Sequence, residues 1–561
     1  MTGLTFLLGA VAFYLVAYFL YGGFLGRLFG LDPSRPTPAH TLRDDVDYAP
    51  TKPFVLFGHH FASIAGAGPI VGPIMAIYFG WGPVVLWLLL GCVFIGAMHD
   101  LAAMVLSIRN QGRSIASVIE QYVGYAGRQL FLVFCWSTLI LVVAVFAKLV
   151  ASGFVKNPAV ATSSLLFIAV APVFGWLVYR RGLSILAGSL IFVPLVFFFV
   201  WLGTQIPLDL MAILGTTEAQ TKLFWILILM VYCAAASTLP VWLMLQPRDY
   251  LNSYLLYGML AFGLAGILAY RPTLQMPAFE GFTALNFSGV ETSLFPFVFV
   301  TIACGACSGF HALVASGTTA KQLDKERDAR PVGYAAMLLE GVLGVIAMIS
   351  VAYLSREQII AAGGAKDATT LFAQGLATFG TRLGVGETIG TAFVSLSVSA
   401  FLLTSLDTST RLARFTMQEI FAPRTGAAAA SVPARPHPVA AFFANPYVAT
   451  LLSVLVALWL TFGESDRIWP VFGASNQLLA ALTLLVASLW LIRRRAKPLV
   501  AIIPMAIMLA VSGTALYQLA GRELRKGGNI PLGVICVVLL ALAAVLAVMS
   551  ARAVARELRK P

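Results

Sequence analysis

Apolar runs of about 20 residues, the length that crosses a bilayer as a helix, recur along the whole chain. They predict fifteen helical spans, at 4–24, 54–80, 83–108, 129–153, 160–179, 183–203, 223–246, 250–270, 293–317, 333–354, 386–410, 446–462, 473–492, 499–520 and 532–551. The second departs from a simple apolar run. Thr51 to Pro73 reads TKPFVLFGHHFASIAGAGPIVGP and sets His59, His60, Ser63, Gly66, Gly68, Pro69, Gly72 and Pro73 within one crossing. A lipid-facing helix cannot hold a broken backbone, because each unpaired N–H or C=O in hydrocarbon costs several kcal/mol. Such a segment has to be buried in protein or line a watery cavity, and membrane carriers place substrate and ion sites on discontinuous helices of this kind.

Five spans later, VYCAAASTLPVW (Val231 to Trp242) interrupts another apolar run with Ala234 to Ala236, Ser237, Thr238 and Pro240. Spans an odd number apart cross in opposite senses. The spacing therefore predicts two inverted five-helix units, about 54–203 and 223–411, each opening on a broken helix, as in the LeuT-type core. Residues 1–53 supply an extra helix and a loop, 412–445 a linker, and 446–561 four accessory helices expected to frame the core, with Asn476 and Gln477, polar near the outer end of the thirteenth span, as the exception to that expectation. The fold class expected is an all-α polytopic membrane protein.

Composition agrees. Of 561 residues, 59% are hydrophobic and 11% charged, against roughly a quarter charged in soluble domains. The net charge of +13 could suggest nucleic acid. Its basic residues, however, sit between apolar runs and form no patch with interleaved aromatics, so they read as topology signals. On alternate sides of the fifteen spans, 26 of the 37 Lys and Arg fall on one side and 10 on the other, with Lys148 inside a span. The positive-inside rule then puts the N-terminus outside and the C-terminus in the cytoplasm. The run Leu4 to Leu20 has no basic residue before it and reads as a retained helix. The six cysteines all fall in apolar runs and make no disulfide framework. No GxSxG, HExxH or GxxxxGK[ST] occurs, so neither hydrolysis nor ATP drive has support. The chain reads as no enzyme, with no cofactor or metal.

The candidate chemistry lies inside the spans. Asp100 and Glu340 are intramembrane carboxylates, functional by default, with a structural pair or a protonated acid as the alternative. His59 and His60 can bind or relay a proton near neutrality, or can bond carbonyls freed at the helix break. Gly66 and Gly68 let the chain unwind and offer backbone groups to a ligand, or allow close helix packing. Lys148 is either a coupling amine or a snorkelling side chain near the outer surface. Cys304, Cys307 and His311 share one helical face by spacing. Three such ligands on a straight helix meet a single tetrahedral ion poorly, so a polar face on the permeation path is the preferred reading. Thr404, Asp407 and Arg411 repeat the spacing, with Asp407 and Arg411 as a possible i, i+4 ion pair. At 1.5 Å per residue, His59, His60, Asp100, His311 and Glu340 lie roughly 8–15 Å from the cytoplasmic interface. They are expected to cluster, with Lys148 apart from them.

The segment DYAPTKPFVLFGHHFASIAGAGPIVGP (Asp47 to Pro73) and the GAMHD of Gly96 to Asp100 resemble the N-terminal signature of the carbon starvation protein A family. Three later segments fit the same family: TIACGACSGFHALVASGTTAKQL (Thr301 to Leu323), SLDTSTR (Ser405 to Arg411) and GASNQLLA (Gly473 to Ala480). The resemblance implies a LeuT-type inner-membrane uptake carrier expressed under nutrient limitation. Some members are linked to peptide uptake and others to proton-coupled pyruvate uptake. The expectation is thus a proton-coupled importer of peptides or a small carboxylate, with a passive channel for small organic anions as the alternative. Expected substrate contacts are His59, His60, Ser63, Gly66, Gly68, Ser237, Thr238 and His311. Asp100, Glu340 and Lys148 are the expected coupling groups.

Overall fold

A computed structural model describes residues 2–44, 48–240, 243–364, 368–421, 438–462, 465–525 and 528–558. Among the described residues, thirteen helices are long and apolar enough to cross a membrane, and two bent pairs, each taken as one span, bring the number to fifteen. In chain order they are span 1 (Gly3–Leu28), 2 (Pro53–Ile64 with Gly68–Phe79), 3 (Trp81–Arg109), 4 (Tyr125–Lys156), 5 (Pro158–Arg181), 6 (Ile185–Gln205), 7 (Glu218–Thr238), 8 (Leu245–Tyr270), 9 (Leu294–Lys321), 10 (Glu326–Ala352), 11 (Glu387–Phe421), 12 (Pro438–Ala444 with Pro446–Thr461), 13 (Arg467–Arg493), 14 (Leu499–Glu523) and 15 (Ile530–Arg556). Every span expected from the apolar pattern is present. The chain is a multi-pass membrane protein.

Span 2 breaks where the sequence says it should. Its first half, 2a, ends at Ile64, and the second half, 2b, starts at Gly68 with a bend of 43°. Pro69 stands in the first turn of 2b, where its missing N–H leaves nothing unsatisfied.

The second break is not in span 7. That helix runs unbroken to Thr238 and stops at an extended Leu239. Alanine is the best helix former, so Ala234 to Ala236 continue the helix. Pro240 ends it by excluding its predecessor from helical geometry. The break lies in span 9 instead. Half-helix 9a (Leu294–Ile302) gives way at Ala303, whose φ is 29°, and half-helix 9b resumes at Gly309 and runs to Gly317. Cys304 and Cys307 lie in this unwound stretch and His311 in 9b, so the three do not share the face of one helix as expected. Spans 2 and 9 are seven apart, again an odd number, and cross in opposite senses. Half-helix 2a lies beside 9b, and 2b beside 9a. At the crossing, a Cβ on Gly68 would collide with Cys304, and one on Gly72 would sit 2.8 Å from the Ile302 backbone. Two discontinuous spans of opposite sense, meeting at their breaks, are the device of a LeuT-type core.

Spans 4 and 11 pack along each other. Spans 9, 10 and 13 are among the most enclosed. Spans 1 and 6 turn Leu15, Phe19, Leu20, Leu186 and Leu190 outward, an apolar surface suited to lipid. The expectation that spans 12 to 15 only frame the core fails for span 13. A Cβ on Gly473 would collide with the Val300 carbonyl of 9a, and one on Gly309 would lie 2.5 Å from Leu479. Small residues on both sides let these helices touch backbone to backbone. The expected linker 412–445 is also shorter, because span 11 stays helical to Phe421. Residues 422–437 lie outside the described residues.

Candidate functional site

Where spans 2 and 9 cross, spans 3 and 10 each bring a carboxylate to 9b. Both helices carry a widened π-type turn just before it, at Cys92–Gly96 ahead of Asp100 and at Arg330–Ala335 ahead of Glu340. Such turns shift the facing of the residues that follow and recur at functional sites. Gly96 sits directly against the Ala306 carbonyl of the unwound segment, with no room for a Cβ.

Asp100, wholly buried, receives two imidazoles. His99 Nδ1 lies 2.8 Å from Oδ1, and His311 Nδ1 lies 2.8 Å from Oδ2. On the far side of the His311 ring, Nε2 is 3.4 Å from Glu340 Oε2, in contact but outside hydrogen-bonding geometry. With Nδ1–H donated to Asp100, a proton brought to the His311–Glu340 pair has two places to sit, Nε2 or the Glu340 carboxyl. His99 Nε2, His311 Nε2 and both Glu340 oxygens have no hydrogen-bond partner. Buried polar atoms are rarely left so, and their concentration marks a place for water, a proton or a ligand.

The expected cluster is thus partly assembled. Asp100, His311 and Glu340 meet directly. His60 is next to them in the fold but bonds Thr319, with Nδ1 2.9 Å from Oγ1. His59 turns the other way, 3.3 Å from Asp249 of span 8, because neighbours on a helix point about 100° apart. Ser63 bonds back to the His59 carbonyl at 2.8 Å. Gly66 packs against Ser405 and Phe146, and Gly68 against Cys304. Ser237 faces Thr450 of span 12 at 3.4 Å, and Thr238 bonds carbonyls of its own helix; no contact joins either to Asp100. Lys148 is 7% exposed, which removes the snorkelling reading. Asp407 bonds Tyr232 at 2.6 Å and pairs with Arg248 of span 8, while Arg411 bonds the Ala236 and Leu239 carbonyls at the end of span 7. The expected i, i+4 pair is replaced by these longer-range partners. Among the described residues, no group of three or more His, Cys, Asp or Glu is arranged to hold a metal ion.

Sequence reasoning missed His99, Arg248 and Asp249. His99 stands inside the GAMHD motif, and its neighbour Asp100 drew the attention. Arg248 and Asp249 were assigned to a loop, since a charged pair at the edge of an apolar run reads as a topology signal. Span 8 in fact starts at Leu245 and buries both completely.

The unwound part of span 9 is held by span 13. Asn476 Oδ1 accepts the Phe310 N–H at 2.8 Å, and its Nδ2 lies 2.9 Å from Ser308 Oγ and 3.2 Å from Cys304 Sγ. Gln477 donates to the Phe299 carbonyl at 2.8 Å. Asn476→Ala leaves the buried Phe310 N–H unpaired and removes two further bonds, so a loss of about 2–4 kcal/mol is expected. Thermal unfolding of the detergent-solubilised protein measures it. A variant as stable as the wild type shows that Asn476 does not hold the break.

Known proteins resemble this chain along most of its length. Peptide transporter CstA of Bacillus subtilis (strain 168) is 31% identical over 610 residues, covering 100% of this chain and 98% of its own. Pyruvate/proton symporter BtsT of Escherichia coli (strain K12) is 31% identical, over 88% of this chain and 78% of its own. Among solved structures, MhsT in complex with L-phenylalanine matches at TM-score 0.48 and 12% identity, over 89% of this chain and 99% of that one. The sequence model described as Carbon starvation protein CstA matches residues 2–365 and 356–515. With its signature motifs gathered at the crossing of two broken spans, the chain belongs to the carbon starvation protein CstA family.

Proposed function

We propose that this protein is a secondary active transporter that imports a peptide or a small carboxylate such as pyruvate under nutrient limitation, driven by protons. The observation that carries the reading is the enclosed Asp100–His311–Glu340 row beside the crossed breaks of spans 2 and 9. A proton shared between His311 and Glu340 can be taken up in one conformation and released in another. Half-helix 2b starts at the break, and the positive end of a helix suits a carboxylate. Similarity to a named peptide transporter and to a named pyruvate/proton symporter supports both substrate classes. In this reading the core is residues 54–411 joined by span 13. The N-terminus is outside and the C-terminus is in the cytoplasm of a bacterial inner membrane.

Proteoliposomes with an imposed proton gradient test the coupling. Labelled pyruvate or labelled dialanine is expected to accumulate above its outside concentration, and a protonophore to abolish the accumulation. Uptake that only equilibrates, whatever the pH gradient, rejects proton coupling in favour of a passive channel. Competition of labelled pyruvate by di- and tripeptides then separates the two substrate classes.

A further inference from the structure

A second group of buried charges lies between spans 2a, 7, 8 and 11. Arg248, Asp249 and Asp407 are fully enclosed. Arg248 is committed chiefly to Asp407 and to the Tyr232 hydroxyl, 2.6 Å away, and reaches Asp249 Oδ1 only at 3.4 Å. Asp249 Oδ2 has no hydrogen-bond donor, and the His59 ring, with Nδ1 3.3 Å away, is the group that faces it. A carboxylate enclosed with so little compensation is costly unless a positive charge or a proton joins it. The side chain of His59 is 12% exposed and forms part of the wall of a small open cleft. Thr51, Gln246, Tyr250 and Gln322 also line this cleft. The carbon edge of the ring therefore meets a cleft that is largely apolar, lined also by Val55, Phe174, Val178 and Ile185, while Nδ1 faces the under-compensated acid and Nε2 is buried without a partner.

We propose that His59 and Asp249 form a second proton-binding site, with His59 passing the proton between the cleft and the buried carboxylate. The step is a simple transfer. Once a small turn of the ring brings Nε2 to the cleft, hydronium there gives it a proton and leaves as water; the imidazolium passes its Nδ1 proton to Asp249 Oδ2, 3.3 Å away, and the reverse sequence returns the proton to the cleft. Imidazole is the side chain whose ordinary titration range suits such traffic. The inference rests on the proton coupling proposed above and assigns one face of the proton path. The groups that bear on His59 are few. Span 8 contributes Arg248, Asp249, Tyr250 and Tyr257, span 11 contributes Asp407, and span 7 contributes Tyr232. His60 adjoins it on span 2a. His311 of 9b, Glu340 of span 10 and Arg330 and Tyr334 before it also lie on elements packed against 2a.

The test uses the full chain in proteoliposomes, with the pH on the two sides set separately and labelled pyruvate or dialanine as the probe. In the wild type, initial rates are expected to respond to pH on both sides. In His59→Gln, the rate is expected to vary less than about twofold with the pH on the cleft side between pH 5 and 8, the histidine range. The response on the opposite side remains. Asp249→Asn, checked for monodispersity, is expected to flatten the same side and serves if the first variant does not fold. A wild-type profile on the cleft side in either folded variant overturns the proposal, as does an equal loss of rate at every pH, which a structural role would give. A wild type indifferent to pH on both sides overturns the coupling reading and this one together.

Discussion

Asp100→Asn is expected to lower proton-driven accumulation by on the order of 100-fold or more while exchange of substrate across the membrane continues. The expectation follows from tautomers. Asp100 faces His99 Nδ1 with Oδ1 and His311 Nδ1 with Oδ2, and only a carboxylate offers a separate acceptor oxygen to each ring. An asparagine offers one oxygen and one NH₂, so one ring must turn or change tautomer. If His311 changes, its proton moves to Nε2, opposite Glu340, and that nitrogen is no longer open to the transported proton. Holding an imidazole in the wrong tautomer costs enzymes factors of this size or larger. The bonds around the site otherwise persist, so the protein is expected to fold. Proteoliposome assays of driven uptake and of exchange, run on one preparation, check it. Unchanged pH dependence of uptake in Asp100→Asn sinks the assignment of this row as the coupling site.

Gly473→Val is expected to leave little folded transporter, whereas Gly513→Val is expected to behave as the wild type. A Cβ at Gly473 meets the Val300 carbonyl of 9a, which is backbone and cannot move aside by a change of rotamer. Overpacking of this kind costs about 1–3 kcal/mol and occasionally more, and a backbone obstacle belongs at the upper end. The damage falls on the half-helix that forms the crossing with span 2, so transport is lost even in the fraction that inserts. Gly513 has nothing near it and controls for side-chain size on an outer helix. Monodisperse yield and uptake, compared for the two variants, give the result. Full activity in Gly473→Val would falsify the close packing of span 13 on span 9.

Much of the architecture was legible in the chain because it follows from local chemistry. The bilayer demands apolar runs of set length, so span positions can be read directly. Gly66, Gly68 and Pro69 cannot continue a helix comfortably, so the break in span 2 was visible as well. The same local reasoning misled at Ala234 to Pro240. Proline ends a helix as readily as it kinks one, and only the partners of the surrounding turns decide which. At span 9 the signal was weaker. Gly305, Ser308 and Gly309 permit unwinding, but Asn476, more than 160 residues away, supplies the bonds that hold it open.

The candidate site divides along the same line. By itself the sequence determined that Asp100, Glu340, His59, His60 and His311 lie within membrane spans, and that charge there needs partners. Only the tertiary structure decided who the partners are. The widened turns in spans 3 and 10 re-aim Asp100 and Glu340 onto His311, and an insertion in helical register leaves no trace in apolar periodicity. Arg248 and Asp249 looked like loop charges until span 8 proved to begin one turn earlier and bury them. His59 and His60, adjacent in sequence, went to separate clusters. The length and polarity of a span are properties of its own residues. The choice of partner depends on rotation about the helix axis and on what packs there, which contacts distant in the chain set.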